Sequence, residues 1–252
     1  MNKKRLFFDI ETSPLVVYSW NVGNKIRLTP DNIIEERAII CISYKWEHEE
    51  EVHTLTWNSS KSDKGMLKKF VAVMEQADEV VAHNGDGFDI PWIRGRCLIH
   101  GIKVPPTIDS IDTLKLARRL FRLPSNKLDY LAQLLFKDKK LSTGGFSLWK
   151  DVCGNNRKEA MEALETMAEY CEKDVILLEK VFHRINPYAP NKINYAMKSG
   201  LSVIHCPECS SNKTYCSKTR VSAAGIKRRQ MNCKSCGKYF TIADSKYQTV
   251  LN

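Results

Sequence analysis

The apolar pattern predicts an α/β protein, a mixed β-sheet flanked by helices, followed by a small and separate C-terminal domain. Three observations carry that expectation. Residues 5–57 contain three short runs rich in β-branched and aromatic residues, and residues 64–182 contain apolar stripes mostly at helical spacing. The positive charge is concentrated at the far end: residues 191–252 hold eleven Lys and Arg against two acidic residues, whereas residues 1–190 hold 28 against 27.

The elements follow in order. Arg5 to Ile10 is almost wholly apolar apart from Asp9, the pattern of a strand buried on both faces. Ala38–Trp46 and Val52–Trp57 flank the acidic turn Glu47–Glu51 and read as a hairpin, which makes a three-strand meander with the first run. Lys64–Gln76 places Met66, Leu67, Phe70, Val71 and Met74 on one helical face, Glu79–His83 is a further strand, and Ile90–His100 is a helix. Asp112–Phe121 and Leu128–Phe136 repeat the helical period, and Thr143–Ser147, with two glycines, is a loop. The longest helix is expected over Arg157–Phe182, and Pro187 and Pro190 end it. The expected domains are therefore 1–186, a linker over 187–203, and 204–252.

With 252 residues, 43% hydrophobic and 27% charged, the composition excludes collagenous, coiled-coil and disordered classes. No apolar run approaches the ~20 residues of a membrane span, and the start, Met-Asn-Lys-Lys-Arg, is not followed by the apolar stretch of a signal peptide. The reading is a cytoplasmic chain in a reducing compartment, where paired cysteines favour metal over disulfide. The net charge of +10 points to a polyanion, nucleic acid before membrane.

Four carboxylates stand out. Side chains alternate along a strand, so Asp9 and Glu11 share one face; the alternative is that Glu11 lies past the strand end and is merely solvated. Asp89 follows the turn Asn84-Gly85-Asp86-Gly87 and opens a helix, where it could equally be a cap, with Asp86 as a rival for any role given to it. Tyr170 and Asp174 are four apart on the long helix and can face one site, although such a pair is often surface decoration. Together Asp9, Glu11, Asp89 and Asp174 offer enough hard oxygen ligands for two Mg2+ or Mn2+ ions.

The order Phe8-Asp9-Ile10-Glu11-Thr12, Asn84-x3-Phe88-Asp89 and Tyr170-x3-Asp174 resembles the three exonuclease motifs of the DEDD superfamily in its tyrosine subtype (DEDDy), as found in proofreading domains of family B DNA polymerases and in small stand-alone exonucleases, many of them phage-encoded. The resemblance covers roughly residues 5–185. It implies a ribonuclease H-like fold and a 3'-5' exonuclease, a hydrolase of terminal phosphodiester bonds, with Asp9, Glu11, Asp89 and Asp174 as metal ligands. Tyr170 would orient or deprotonate the attacking water; an ordinary phenol pKa of about 10 favours orientation. By the same resemblance Asn84 touches substrate or braces the site and Asp112 is structural. Phe88 reads as core rather than as a stacking group. A separate DNA polymerase or replication protein is the partner the resemblance implies, in the host cytoplasm for a phage protein. An RNA-directed nuclease and a non-catalytic nucleic-acid adaptor are the alternatives.

At the C-terminus, Cys206-Pro207-Glu208-Cys209 and Cys233-Lys234-Ser235-Cys236 form two Cys-x2-Cys knuckles, the pattern of a four-thiolate structural Zn2+ site, and resemble a zinc ribbon. The remaining cysteines, Cys41, Cys97, Cys153, Cys171 and Cys216, read as non-ligands. Lys218, Arg220, Lys227, Arg228 and Arg229 lie between the knuckles, with Tyr215, Tyr239 and Phe240 nearby, a mixture suited to phosphate contact and base stacking on single-stranded nucleic acid.

Overall fold

The computed structural model describes residues 3–23, 25–138, 145–191 and 193–251. Two compact units result: Lys4–Lys115 with Pro124–Val181, and Met1–Lys3 with Leu116–Leu123 and Phe182–Asn252. In chain order the elements are β1 (Arg5–Thr12), β2 (Val16–Val17), β3 (Ile33–Glu35), β4 (Ile39–Trp46), β5 (His53–Thr56), α1 (Lys64–Met74), β6 (Glu79–Ala82), α2 (Asp89–Ile99), β7 (Ser110–Asp112), α3 (Thr113–Leu120), α4 (Leu128–Phe136), α5 (Ser147–Val152), α6 (Arg157–Ile185), α7 (Tyr195–Lys198), β8 (Thr214–Val221), β9 (Lys227–Cys233), β10 (Tyr239–Ala243) and α8 (Asp244–Leu251).

The large unit is built on a five-stranded sheet in the order β5-β4-β1-β6-β7. β1 pairs antiparallel with β4 and parallel with β6, so the sheet is mixed. β1 is central, which explains its apolar sequence: Leu6, Phe7 and Phe8 are fully buried. Leu6, Phe8 and Ile10 point into a core with Met66, Leu67 and Phe70 of α1 and Ile90, Ile93 and Cys97 of α2. Each such large side chain contributes about 1.5–3 kcal/mol of burial free energy. The opposite face meets α5 and α6, where Ile40, Cys41 and Trp57 pack on Leu148, Val152, Met167 and Cys171.

Polar contacts fix α6 on that face. Lys45 Nζ donates to Glu179 Oε2 at 2.6 Å and Thr54 Oγ1 to Glu172 Oε1 at 2.7 Å. On the other side, Asp63 is fully buried and accepts from the Ile39 amide (3.0 Å), Arg96 Nε (2.7 Å) and Nη2 (3.0 Å), and His100 Nε2 (2.6 Å). Burial pushes the Asp63 carboxyl up, but the hydrogen bonds from Arg96, the Ile39 amide and His100 prevail and hold it below the usual carboxylate range.

Four features depart from the sequence pattern. Residues 14–37 form an arm closed by the β2–β3 pair, which no alternation announced. β7 precedes α3 and takes Asp112 from the expected helix. Of the expected Thr143–Ser147 loop, Thr143 and Gly144 lie outside the described residues, and Ser147 begins α5, a helix too short to show a period. Phe88 is not core: it is 37% exposed, at the start of α2 beside Trp92, because the tight turn ends before the chain enters the helical layer.

In the smaller unit, β8, β9 and β10 form an antiparallel sheet. Beneath this sheet Met231, Phe240 and Ile242 form a small apolar cluster, with Val203, Ile204, Cys216 and Tyr247 packed around them. Asn186 and Asn191 reach the first knuckle. Glu208 accepts from Asn186 Nδ2 and Asn191 Nδ2, each at 2.9 Å, and the buried Lys238 Nζ donates to the Asn186 carbonyl at 2.5 Å.

Candidate active site and metal centre

The acidic site starts from strand geometry. Asp9 lies opposite Ser43 and Glu11 opposite Cys41, all on the face that meets α6. Glu11 is inside β1, which runs on to Thr12, and the register slips between Glu11 and Thr12. α6 lays Asp174, 4% exposed, across this face. Carboxylate oxygens of Asp9, Glu11 and Asp174 all lie within 4.8 Å of one another.

Asp89 is the first residue of α2, with Phe88 in the cap position. Its side chain is 1% exposed and its Oδ1 accepts no hydrogen bond. Burial, then the charge of Asp9 and more weakly that of Glu11, push its carboxyl well above the usual range, against the pull of backbone amides. Four acids gather here, one of them with its pKa driven up by burial and a neighbouring charge. The cluster fits divalent cations with oxygen ligands.

The turn before Asp89 is built to close tolerances. A Cβ on Gly85 would lie 2.5 Å from Ala82 Cβ, and one on Gly87 2.9 Å from Asn84 Oδ1, while Asn84 itself has φ +71°. Asp112 braces this turn, accepting from the amides of Asn84 (3.1 Å) and Asp86 (3.4 Å) as well as from Leu114 and Lys115 at the start of α3. Asp86 is engaged by Ser110 Oγ at 2.5 Å and Lys115 Nζ at 2.8 Å. Asn84 is exposed at the turn. Tyr170, half-buried, sits one helical turn before Asp174.

Cys171, read from the sequence only as core, touches the site directly. Its thiol lies 3.5 Å from the Asp9 carbonyl oxygen and 3.7 Å from Asp9 Oδ2. Its place one residue after Tyr170 was the available signal, since the helix stripe that buries it also carries Asp174.

Residues 34–186 match the family profile of the RNase H superfamily, which is more than half of the chain. This chain belongs to the RNase H superfamily. The match starts at Ile34, so the place of Asp9 and Glu11 in the site rests on the geometry of β1. Within the superfamily the chain is similar to a DNA polymerase of Methanocaldococcus jannaschii, 26% identical over 233 residues, covering 80% of this chain and 14% of that protein. It is likewise 26% identical over 205 residues to a DNA polymerase of Pyrococcus glycovorans, covering 68% of this chain and 23% of that one. Among solved structures, the family B DNA polymerase of Pyrobaculum calidifontis superposes with a TM-score of 0.54 at 16% identity, over 74% of this chain and 25% of that one. The chain thus spans a quarter or less of the length of these relatives, and the structural likeness shows the fold. No described helix of this RNase H-superfamily chain is long and apolar enough to cross a membrane.

The smaller unit gathers the four knuckle cysteines. Their sulfurs lie within 4.8 Å of one another, with Cys206–Cys236 and Cys209–Cys233 each at 3.6 Å. A tetrahedral Zn–S distance of about 2.3 Å requires sulfur–sulfur edges of about 3.8 Å, so the donor set fits. The hydrogen bond from Cys236 pulls the Cys206 thiol down to about 5, and the same contact pushes Cys236 up. The five other cysteines stand outside the cluster.

Strand register separates the basic residues. Met231, Phe240 and Ile242 define the buried face of the ribbon sheet, and Arg229, opposite Ile242, belongs to it. Arg229 is engaged by Asp244, by Thr219 Oγ1 at 2.9 Å and by the Tyr247 ring at 5.1 Å. The opposite face carries Tyr215, Asn232 and Tyr239 in one cross-strand row, Lys218 and Gln230 in the next, and Arg220 with Arg228 beyond. A depression of about 690 Å³ opens between Lys218, Arg220, Ile226 and Arg228. Lys227 is exposed opposite Val221.

Proposed function

We propose that the larger unit is a divalent-metal-dependent 3'-5' exonuclease acting on DNA, single strands or 3' ends, and that the smaller unit is a Zn2+-stabilised ribbon that holds the strand. The observation that carries this reading is the convergence of the Asp9, Glu11 and Asp174 carboxylates on one face of an RNase H-type sheet, with Asp89 buried beside them. Superfamily membership and similarity to DNA polymerases support it.

Asp9, Glu11, Asp89 and Asp174 would hold two Mg2+ or Mn2+ ions. Bound there, the pair supplies a clamp on the attacking and leaving oxygens of a phosphodiester. The chain's own residues do the rest. Burial and the Asp9 charge raise the Asp89 pKa, and a cation held there would favour its ionised form. Tyr170, half-buried one turn before Asp174, orients the attacking water with its phenol. Asp112 keeps the Asn84–Asp89 turn rigid, so Asp89 is presented at a fixed angle and exposed Asn84 is offered to substrate.

Cys206, Cys209, Cys233 and Cys236 would hold one Zn2+, whose binding free energy replaces the large core this unit lacks. Lys218, Arg220 and Arg228 form the proposed contact surface for phosphates, with Tyr215 and Tyr239 as stacking platforms, and Lys227, which alternation puts on the face of Arg229, adds charge at its edge. Arg229, tied to Asp244, is assigned to the fold of the ribbon.

The test is digestion of 5'- and 3'-labelled oligonucleotides, as DNA and as RNA, with Mg2+ or EDTA. The expected outcome is stepwise shortening from the 3' end of DNA, abolished in Asp9→Ala and Asp174→Ala with folding retained. Wild-type digestion by either variant would falsify the site. Internal cuts or a preference for RNA would redirect the substrate assignment.

A further inference from the structure

The arm between β1 and β4 has no part in the core or in the acidic site. Between Thr12 and Asp31 its only charged side chains are Lys25 and Arg27, both exposed. It also displays the two most exposed large apolar residues of the described chain, Trp20 at 100% and Val22 at 99%, with Tyr18 at 75% beside them. Exposed apolar groups grouped in this way mark interaction surfaces.

The arm is built rather than trailing. Ser13 and Ala38 pin its base through two hydrogen bonds of 2.8 Å, Ser13 N to the Ala38 carbonyl and Ala38 N to Ser13 Oγ. The Tyr18 amide donates to the Asn32 carbonyl at 2.9 Å, and Asn32 Nδ2 donates back to the Tyr18 carbonyl at 3.2 Å. Ser19 Oγ donates to the Asn21 carbonyl at 2.7 Å, a turn that leaves the Trp20 indole at its apex in water.

We propose that this tip grips the single-stranded part of the nucleic-acid substrate, with a base stacked on Trp20 and phosphates on Lys25 and Arg27. The proposal rests on the nuclease reading above. Two facts select this occupant. An aromatic platform followed by two cations, with no acid between Thr12 and Asp31, is complementary to an unpaired strand. The arm also leaves the end of β1 after Thr12, next to Glu11, so a strand held at the acids passes within its reach. Trp20 is eight positions on from Thr12, a span of at most about 28 Å. At about 3.4 Å per nucleotide this is no more than about eight nucleotides of strand.

The experiment uses the full chain with Asp174→Ala as an inactive background and fluorescein-labelled dT12 read by anisotropy. Trp20→Ala, and separately the pair Lys25→Ala and Arg27→Ala, are compared with their parent, with circular dichroism confirming the fold. One lost base stack corresponds to about 1–3 kcal/mol, so Trp20→Ala should weaken binding about 5- to 150-fold. The paired variant should flatten the dependence of binding on salt. A loss below fivefold with Trp20→Ala overturns the proposal, as does a loss of sedimentation with phosphatidylserine vesicles while dT12 binding is kept. The nuclease reading is judged separately, by whether Asp174→Ala stops digestion.

Discussion

The thiol of Cys171 lies 3.7 Å from Oδ2 of Asp9, so the neighbour of Tyr170 on α6 rests against the first carboxylate of β1. This contact sets the spacing between the helix that carries Asp174 and the strand that carries Asp9 and Glu11. Cys171 is fully buried, and an extra branched chain has no room there. Cys171→Leu should cost about 1–3 kcal/mol by overpacking. It should also weaken Mg2+ binding, because the helix is lifted from the strand. Urea unfolding and Mg2+ titration of the same variant check both effects.

Burial and the charge of Asp9 raise the folded pKa of Asp89. A raised pKa contributes stability that is complete below the unfolded value of about 3.9 and is lost as pH rises through the folded value. Without cations, Asp89→Asn should therefore melt higher than the parent at pH 8 and show no such gain at pH 4. Each kcal/mol is worth about 2–4 °C in a chain of this size. The parent should gain stability on adding Mg2+, and the variant should gain far less. A thermal melt series with EDTA or Mg2+ is the measurement.

The Asp63 site has the opposite sign. Its depressed carboxyl contributes stability above about pH 4, and that contribution disappears as pH falls through the folded pKa. Asp63→Ala leaves Arg96 and His100 without their shared acceptor, and breaking a buried charged pair costs about 3–5 kcal/mol. The difference in urea midpoint between parent and variant should be large at pH 7 and shrink below pH 3.

On the ribbon, register predicts two kinds of arginine. Arg228→Ala removes a charge from the open face and should lower the slope of log affinity against log salt by about 0.7 for a single strand. Arg229→Ala should leave that slope in place and lower the melting temperature, since Arg229 serves Asp244 and Tyr247. Binding isotherms at several salt concentrations, paired with melts, separate the two.

Removal of Zn2+ should unfold β8–β10 specifically. Structural zinc supplies about 10–16 kcal/mol to small domains, and three buried apolar residues do not replace it. Cys233→Ser should copy the effect of a chelator. Hydrogen exchange resolved by peptide should show β8–β10 losing protection while β1, β4 and β6 keep theirs.

The alternation of β1 and the stripe of α6 were readable because each element lies against one core and its sequence answers to that core alone. Leu6, Phe8 and Ile10 on one side, and Asp9 with Glu11 on the other, follow from period two. The arm, β7 and α5 were not readable: two-, three- and six-residue elements are shorter than the window in which a period shows. Phe88 was misplaced because an aromatic beside an acid looks the same from sequence whether the turn buries it or turns it outward. The depth of Asp89 and the thiol contact of Cys171 depend on how layers meet, which one-dimensional spacing does not encode. Arg229 and Arg228 are adjacent in sequence and differ only in the face that strand pairing assigns them.

The central position of β1 has a further consequence for synthesis. Asp9 leaves the ribosome before its partner strands β4 and β6 and well before the helix bearing Asp174. Until α6 closes over the sheet, the acids are scattered along an incomplete chain and form no receptacle for cations. On the proposed nuclease reading, a molecule in which α6 has not docked has no assembled site with which to cut nucleic acid.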